Sequence, residues 1–456
     1  MKKSPARVFC SGWGRNYLPM NVKKIASNAK WIILCRVVQS LLQLLIGMLT
    51  ARYLGPANYG LINYAKSVVA FAVPFTQLGL NATLVRELIE DPDQEGAILG
   101  TSLMMSFLSS LLCIASVWLF VSAANRGETE TIVVCVLYSM SMMLQAIELI
   151  QYWFHSKLQS KYPSMMMLVA YVVVSAYKIF LLIAQKSIYW FAVVYSVEYG
   201  VVGIALLLLF CRQSPQVLSF SSKMASRLLR NSYPYIFSSL MVTLFQNTDH
   251  VMLKMISGDA ENGYYSAAIT SASVCSFVYA AIIDSMRPVI LSSKKEGSNE
   301  YEKNVTTLYG IITYLSLAQG LAFTLLAKSI VTILYGLDYL QTVPVLQILV
   351  WYVSFSQMGR IRNIWILAEG KQKILWKINL AGALLNVGIN AVLIPHCGAF
   401  GAAFASFITQ IFTNFLLGFL IKELRPNNQM LLTGIKPRFM LNVITRMMNM
   451  LIRRNL

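Results

Sequence analysis

Ionisable side chains interrupt apolar runs at Arg36, Lys66 and Lys178, and at Glu148, Glu198, Asp249 and Asp284. A charge inside a hydrocarbon layer is expensive, so such residues are functional candidates by default. The cations suit an anion, arginine through a planar fork of donors and lysine as a mobile point charge. Arg36, Lys66 and Lys178 are therefore the expected anion-binding residues. The carboxylates suit a coupling proton or sodium ion, or the gating of a conformational change. Asp249 has His250 beside it and Lys254 on the following turn, while Asp284 precedes Arg287 by one helical step, a spacing that allows an intrahelical pair. Competing readings stay open: snorkelling to an interface for Arg36 and Lys178, and a structural ion pair for Asp284.

Conventional catalysis finds no foothold. His155, His250 and His396 are far apart, with no HExxH pair, and neither a Walker lysine loop nor a GxSxG elbow occurs. The chain is not expected to be an enzyme, to hydrolyse ATP, or to carry a cofactor beyond a coupling H+ or Na+.

Helices must position these groups. The chain has 456 residues, 57% hydrophobic and only 12% charged, whereas soluble domains carry roughly 25% charge. Repeated apolar windows of about 20 residues cross a ~30 Å hydrocarbon core as helices. Spans are expected near 31–51, 59–80, 98–122, 131–153, 163–184, 188–210, 233–256, 264–287, 305–327, 343–366, 375–394 and 400–421. The fold class is an all-α polytopic membrane protein of about twelve helices. Pro74, Gly382 and Gly388 are candidate bend points. Tyr171, Tyr195, Tyr199 and other aromatics within the spans suit sugar stacking, but more commonly form interfacial belts and core. The seven scattered cysteines read as small buried hydrophobes.

The net charge of +19 reflects topology rather than nucleic acid. Lysine and arginine crowd the segment before Lys30, the central link (Arg212, Lys223, Arg227, Arg230) and the link carrying Arg360, Arg362, Lys371, Lys373 and Lys377. The opposite loops hold only Arg52, Arg126, Lys186, Lys254 and Lys328. The positive-inside rule then places both termini in the cytoplasm. No secretory signal peptide is read at the N-terminus, so the first span is expected to direct insertion. The organisation is a cytoplasmic segment (1–30), a six-helix bundle (31–211), a basic linker (212–232), a second bundle (233–421) and a basic amphipathic tail (422–456) suited to the anionic inner leaflet. The loops are too short for the extracytoplasmic domain expected of a membrane glycosyltransferase or polymerase.

The halves echo each other. Gly60 pairs with Gly263, Ala65 with Ala268 and Ser67 with Thr270; further on, Trp153 meets Trp365 and Lys161 meets Lys373. Even-numbered halves give parallel repeats around a central cavity. The run TARYLGPANYGLINYAKS, from Thr50 to Ser67, resembles the first-to-second helix signature of the bacterial polysaccharide-transporter family, the O-antigen and capsule repeat-unit flippases. QNTDHVMLKMISGDAENGYYSAA, from Gln246 to Ala268, is similar to that family's seventh-helix pattern. The family lies within the multidrug, oligosaccharidyl-lipid and polysaccharide exporter superfamily. The resemblance implies a V-shaped cavity, alternating access and a polyprenyl-diphosphate-linked oligosaccharide as cargo, in the bacterial cytoplasmic membrane. It also implies membrane lipids, and a polysaccharide polymerase and chain-length regulator, as partners. The competing functions are an ion-coupled multidrug antiporter of the same superfamily and a scaffold subunit of a polysaccharide assembly complex.

Overall fold

The computed structural model describes residues 22–214, 216–295 and 300–439, with 441 and 445 beyond; side chains of 22–37, 40, 41 and 295 are not described. Nearly all of it is helix, without strands among the described residues. This is the all-α polytopic fold expected. Twelve segments of spanning length succeed one another: α1 (22–54), α2 (56–76), α3 (Glu95–Ala124), α4 (Thr129–Ser156), α5 (Lys161–Ile183), α6 (Ile188–Gln213), α7 (Ser222–Ser257), α8 (Asp259–Ala272 with Ser276–Lys294), α9 (Glu300–Leu334), α10 (Thr342–Ala368), α11 (375–397) and α12 (399–420). Helix is forced here because backbone amides in hydrocarbon must be satisfied within the segment.

The breaks have local causes. Gly55 (φ 71°) separates α1 from α2, Gly258 (φ 93°) separates α7 from α8, and Gly398 (φ 51°) separates α11 from α12. Left-handed φ favours glycine because it lacks Cβ. The expected bend points are not where the chain bends most. Pro74 lies within α2, α8 bends by 48° between Ala272 and Ser276, and α12 contains a π-helical turn at Phe412–Leu416. Gly382 admits close packing, since a Cβ there would lie 2.7 Å from Thr413 Cγ2 and 2.9 Å from Phe245 Cε2.

The first six helices form the N-lobe and the last six the C-lobe. Their cores divide unevenly. One buried cluster draws on both lobes, with Tyr64, Val68 and Val134 beside Leu253, Tyr265, Tyr335 and Leu349. Of two others, one lies within the C-lobe around Tyr309, Trp365 and Leu431, and one within the N-lobe around Leu84, Trp153 and Phe210, joined by Met224 and Leu228 from the start of α7. The lobes are therefore fused at the end carrying the α1–α2 and α7–α8 turns (the far end) and separate toward the end carrying the 214–221 link (the linker end). Apart from the start of α7, the core shared by the lobes thus gathers at the far end.

Helix α7 joins the lobes diagonally. Residues 222–232, expected as linker, are helical and continuous with it. Its start is fixed to the N-lobe: Arg227 pairs with Glu87 at 2.9 Å and Asp91 at 2.5 Å, and Asn231 donates to Glu87 at 2.8 Å. Its far half packs on α11 and α8 of the C-lobe, where Asn390 and Tyr265 both reach Asp249. After α12, a helix Arg425–Ile435 docks on α9 through Met430, Leu431 and Gly434. Most of the tail expected to lie along a leaflet, from 440 onward, falls outside the described residues.

Candidate functional site

The far end closes by a reciprocal contact between the halves. A Cβ on Gly60 would lie 1.8 Å from the Asp259 carbonyl oxygen, and one on Gly263 2.0 Å from that of Pro56, so only glycine permits this approach. Asn262, fully buried, donates to the Gly60 carbonyl at 2.7 Å and meets His250 Nδ1 at 2.7 Å through its Oδ1. Gly60 and Gly263, paired between the halves in the sequence, are helical positions at which backbones touch. Beside them Lys254 of α7, 6% exposed, donates to Glu128 before α4 at 2.5 Å and to Asp259 at 3.1 Å. The ammonium, with help from the Thr131 hydroxyl, holds the Glu128 carboxyl below the usual carboxylate range. Lys254, read in the sequence as a neighbour of Asp249, thus serves a bridge between lobes.

Below this closure lies Lys66. It is exposed on α2 although Ala65 and Ser67 are buried. Lys66 acts electrostatically on Tyr59, on Tyr195 and Glu198 of α6, and on His250 of α7. A side chain that faces both lobes points into the space between them. Lys178 joins the group from α5, its ammonium 5.6 Å from the Tyr195 ring centre, and Tyr195 stacks obliquely on Tyr138 at 4.5 Å. Tyr171 lies close to Glu198 and Gln39. Glu148, on the 3₁₀ stretch Ala146–Ile150 within α4, is in electrostatic reach of Glu198.

Two sets expected to act separately are therefore one cluster. Lys66 and Lys178 are in electrostatic reach of Glu198, which in turn reaches Glu148. The side chain of Arg36 lies outside the described residues; its backbone belongs to α1. Snorkelling does not describe Lys178, which turns to Tyr195 rather than running clear of the protein.

Asp249 belongs to a different environment. It is 5% exposed and accepts from Tyr265 at 2.7 Å, from Asn390 at 2.6 Å and from the Ser406 hydroxyl. Asn390 in turn donates to Asn386 at 3.0 Å, yet its own Oδ1 is buried without a donor. This is an oxygen-rich pocket inside the C-lobe. Asp284 is exposed on the linker-end part of α8, and no Asp284–Arg287 pair forms among the described residues. Asn386 and Asn390, one turn apart in an apolar run, were the legible signal for this pocket; Ser406 and Tyr265 carried none.

The geometry is that of a two-lobed helical membrane fold, and the sequence assigns its lineage. The profile of the family described as polysaccharide biosynthesis protein matches residues 25–294. The chain belongs to that family. Within the polysaccharide biosynthesis proteins, it is 23% identical over 429 residues (90% of this chain, 100% of the relative) to a protein assigned as an O-antigen transporter in Escherichia coli (strain K12). It is 21% identical over 408 residues (85% and 96%) to the capsular polysaccharide biosynthesis protein CapF of Staphylococcus aureus. Among solved structures it is similar to the lipid II flippase MurJ in an inward closed conformation, with a TM-score of 0.69 at 14% identity over 91% of this chain and 92% of that one. It is also similar to an inward-facing multidrug resistance transporter of the MATE family, with a TM-score of 0.62 at 15% identity over 85% and 95%. At these identities the structural likeness carries the fold.

Proposed function

We propose that this protein is a flippase for polyprenyl-diphosphate-linked oligosaccharide repeat units, working by alternating access in a bacterial cytoplasmic membrane during surface polysaccharide synthesis. The observation that carries the reading is the exposed Lys66, backed by Lys178, at the closed end of the cavity between lobes. A diphosphate needs cations there, while the gap between lobes lets the lipid tail remain in the bilayer. Glu198 lies in electrostatic reach of both lysines and offers them a counter-charge when the cavity is empty. Tyr171, Tyr195 and Tyr199 supply polar and aromatic surface for sugar. Family membership and the transporter assignment of the Escherichia coli relative favour glycan cargo over drugs.

The basic residues gather at the linker end, so that end faces the cytoplasm, and the state closed at the far end is the one that loads cargo. The Asp249 pocket is the candidate coupling site. Asp249, Ser406 and the unpartnered Asn390 Oδ1 offer oxygens to Na+, or Asp249 takes a proton. Asp284, exposed at the linker end, is assigned to gating rather than ion binding. A polymerase and a chain-length regulator would receive the exported unit.

Deletion followed by analysis of undecaprenyl-linked intermediates tests the cargo. A complete repeat unit accumulating on the cytoplasmic leaflet is the expected outcome; drug sensitivity with normal glycans would overturn it in favour of the antiporter. Lys66→Gln at normal expression should reduce surface polysaccharide at least tenfold, and unchanged polysaccharide would remove Lys66 from the site. Transport indifferent to both pH and sodium gradients would reject coupling at Asp249.

A further inference from the structure

The two lobes are built alike at the linker end, and one difference leaves a gap. In the N-lobe the segment after α6 crosses α3 closely: Cβ atoms on Gly96 and Gly100 would lie 2.3 Å from Val217 O and 2.4 Å from Ser219 O. In the C-lobe the segment after α12 crosses α9 in the same manner, Gly434 facing Thr306 O at 2.6 Å and Gly310 N at 3.0 Å. In sequence, an offset of 210 residues sets Gly100 against Gly310 and Ser106 against Ser316. The same register sets Glu95 against Val305.

In the N-lobe, Glu95 accepts from the Trp153 indole at 2.6 Å and pairs with Lys157, whose ammonium is 6.0 Å from that ring. The C-lobe repeats the tryptophan, buried at 1% exposure as Trp365, while the position of Lys157 is taken by Glu369 and the cation over the ring comes from Lys371, two residues further on, its ammonium 4.9 Å from the ring. The carboxylate of Glu95 is missing, because Val305 stands in its place, fully buried in the same core as Trp365. Trp365 Nε1 is left without an acceptor.

The C-lobe also adds a charge. Arg362, expected from the sequence to lie in a basic loop, is buried one helical step before Trp365, so both share a face of α10. Its Nη1 donates to the Thr413 carbonyl in the π-helical turn of α12, its Nε has no acceptor, and no carboxylate pairs with it among the described residues. On the other side of α9, Tyr309 donates to Asn427 Oδ1 at 3.0 Å, and Asn427 Nδ2 is likewise buried and unpartnered. A guanidinium is always charged and presents donors only. Burying one without a counter-charge is strongly unfavourable. Three orphaned donors and one unpaired cation flank the Val305–Tyr309 turn, and Glu369, the carboxylate one turn past Trp365, is committed to Lys294 at 2.6 Å and Tyr301 at 3.1 Å rather than to Arg362.

We propose that the C-lobe binds a small monovalent anion of the chloride class beside Arg362 and Trp365, under the docked helix Arg425–Ile435. The anion takes the part that Glu95 plays in the N-lobe. Full burial excludes a lipid headgroup and restricts the ligand to an ion of about water size. The site lies within one lobe, away from Lys66, and its occupancy ties α10, the π turn of α12 and the tail helix together whatever the cargo is.

The test compares the thermal unfolding of the purified full-length protein in potassium chloride and in potassium gluconate at equal ionic strength. Chloride should raise Tm by about 1–2 °C, the size expected in a chain of 456 residues for a ligand held at roughly ten times its Kd. Arg362→Met should unfold at the same temperature in both salts. Val305→Glu, which restores the carboxylate of the other lobe, should also lose the response and keep the higher Tm in gluconate. Crystals grown in bromide should show an anomalous peak adjacent to Arg362, a readout independent of any variant. Equal Tm values for the wild type, an undiminished chloride increment in Arg362→Met, or the lack of a bromide peak would each overturn the proposal and show that water or packing alone satisfies these donors.

Discussion

The bridge from Lys254 to Glu128 and Asp259 should set how firmly the far end stays shut. At 2.5 Å and an effective dielectric of about 20, the Lys254–Glu128 attraction alone is roughly 6 to 7 kcal/mol. The Glu128 side chain is 47% exposed, and Lys254 gives up its hydration to be there, so the net contribution falls to about 2 kcal/mol. That is a factor of about 30 in the closed-to-open ratio. Lys254→Met removes both contacts and leaves Glu128 facing Asp259, so it should shift the ratio by that full factor. Glu128→Gln leaves Lys254 paired with Asp259 at 3.1 Å and should shift it by only about fivefold, or ~1 kcal/mol. Spin labels at Glu130→Cys and Leu337→Cys, in a background without the seven native cysteines, report the distance across this end. The long-distance population should grow in the order wild type, Glu128→Gln, Lys254→Met. Since the Glu128 carboxyl is held below its usual range, the Lys254–Glu128 contact is complete above a pH of about 4.3 and fails only as pH falls through the depressed value, whereas burial pushes the Asp259 carboxyl up, so its contact is the first lost on acidification. The distribution should not change between pH 5 and 8. Identical distributions in all three proteins, or opening on passing from pH 8 to 6, would refute the assignment of this bridge as the closure.

Other consequences are equally direct. Gly263→Ala would drive a Cβ to within 2.0 Å of the Pro56 carbonyl; prying those backbones apart should cost the closed state about 1–3 kcal/mol, visible as the same long-distance population and as easier labelling of the cavity from the far side. Glu87 is fully buried and anchors the start of α7 through Arg227 and Asn231. Glu87→Leu should lower the stability of the N-lobe by about 2 kcal/mol, less than a fully buried pair because the Arg227 side chain is 36% exposed, measured as a fall in Tm with α7 freed to proteolysis near Ser222. Asp249→Asn should abolish any protection by sodium against thermal unfolding while leaving the protein folded, because the neighbouring hydroxyls and amides can repair the hydrogen bonds.

The sequence was sufficient for the helices, their number and the pairing of the halves. Those follow from short-range rules: a segment that crosses hydrocarbon must be apolar and helical, and a glycine with φ 71° at Gly55 or 93° at Gly258 marks the turn locally. The intramembrane charges could be found for the same reason, since Lys66, Lys178, Glu148, Glu198 and Asp249 all stand out against an apolar background. What each charge faces was not legible. Lys254 seemed a neighbour of Asp249 because the two are close in sequence, yet a helix turns them to different partners. Asp249 meets Asn390 and Ser406 within its lobe, while Lys254 reaches Glu128 across the interface. Arg362 misled most, because a cation near a helix end has the same local sequence whether it reaches water or turns inward against a π turn. Partner choice depends on helix rotation and packing across more than a hundred residues, which hydropathy does not encode. Tertiary structure alone fused the lobes at one end, gathered the lysines with the acids, and left Arg362 and Trp365 without the carboxylate that their N-lobe counterpart possesses.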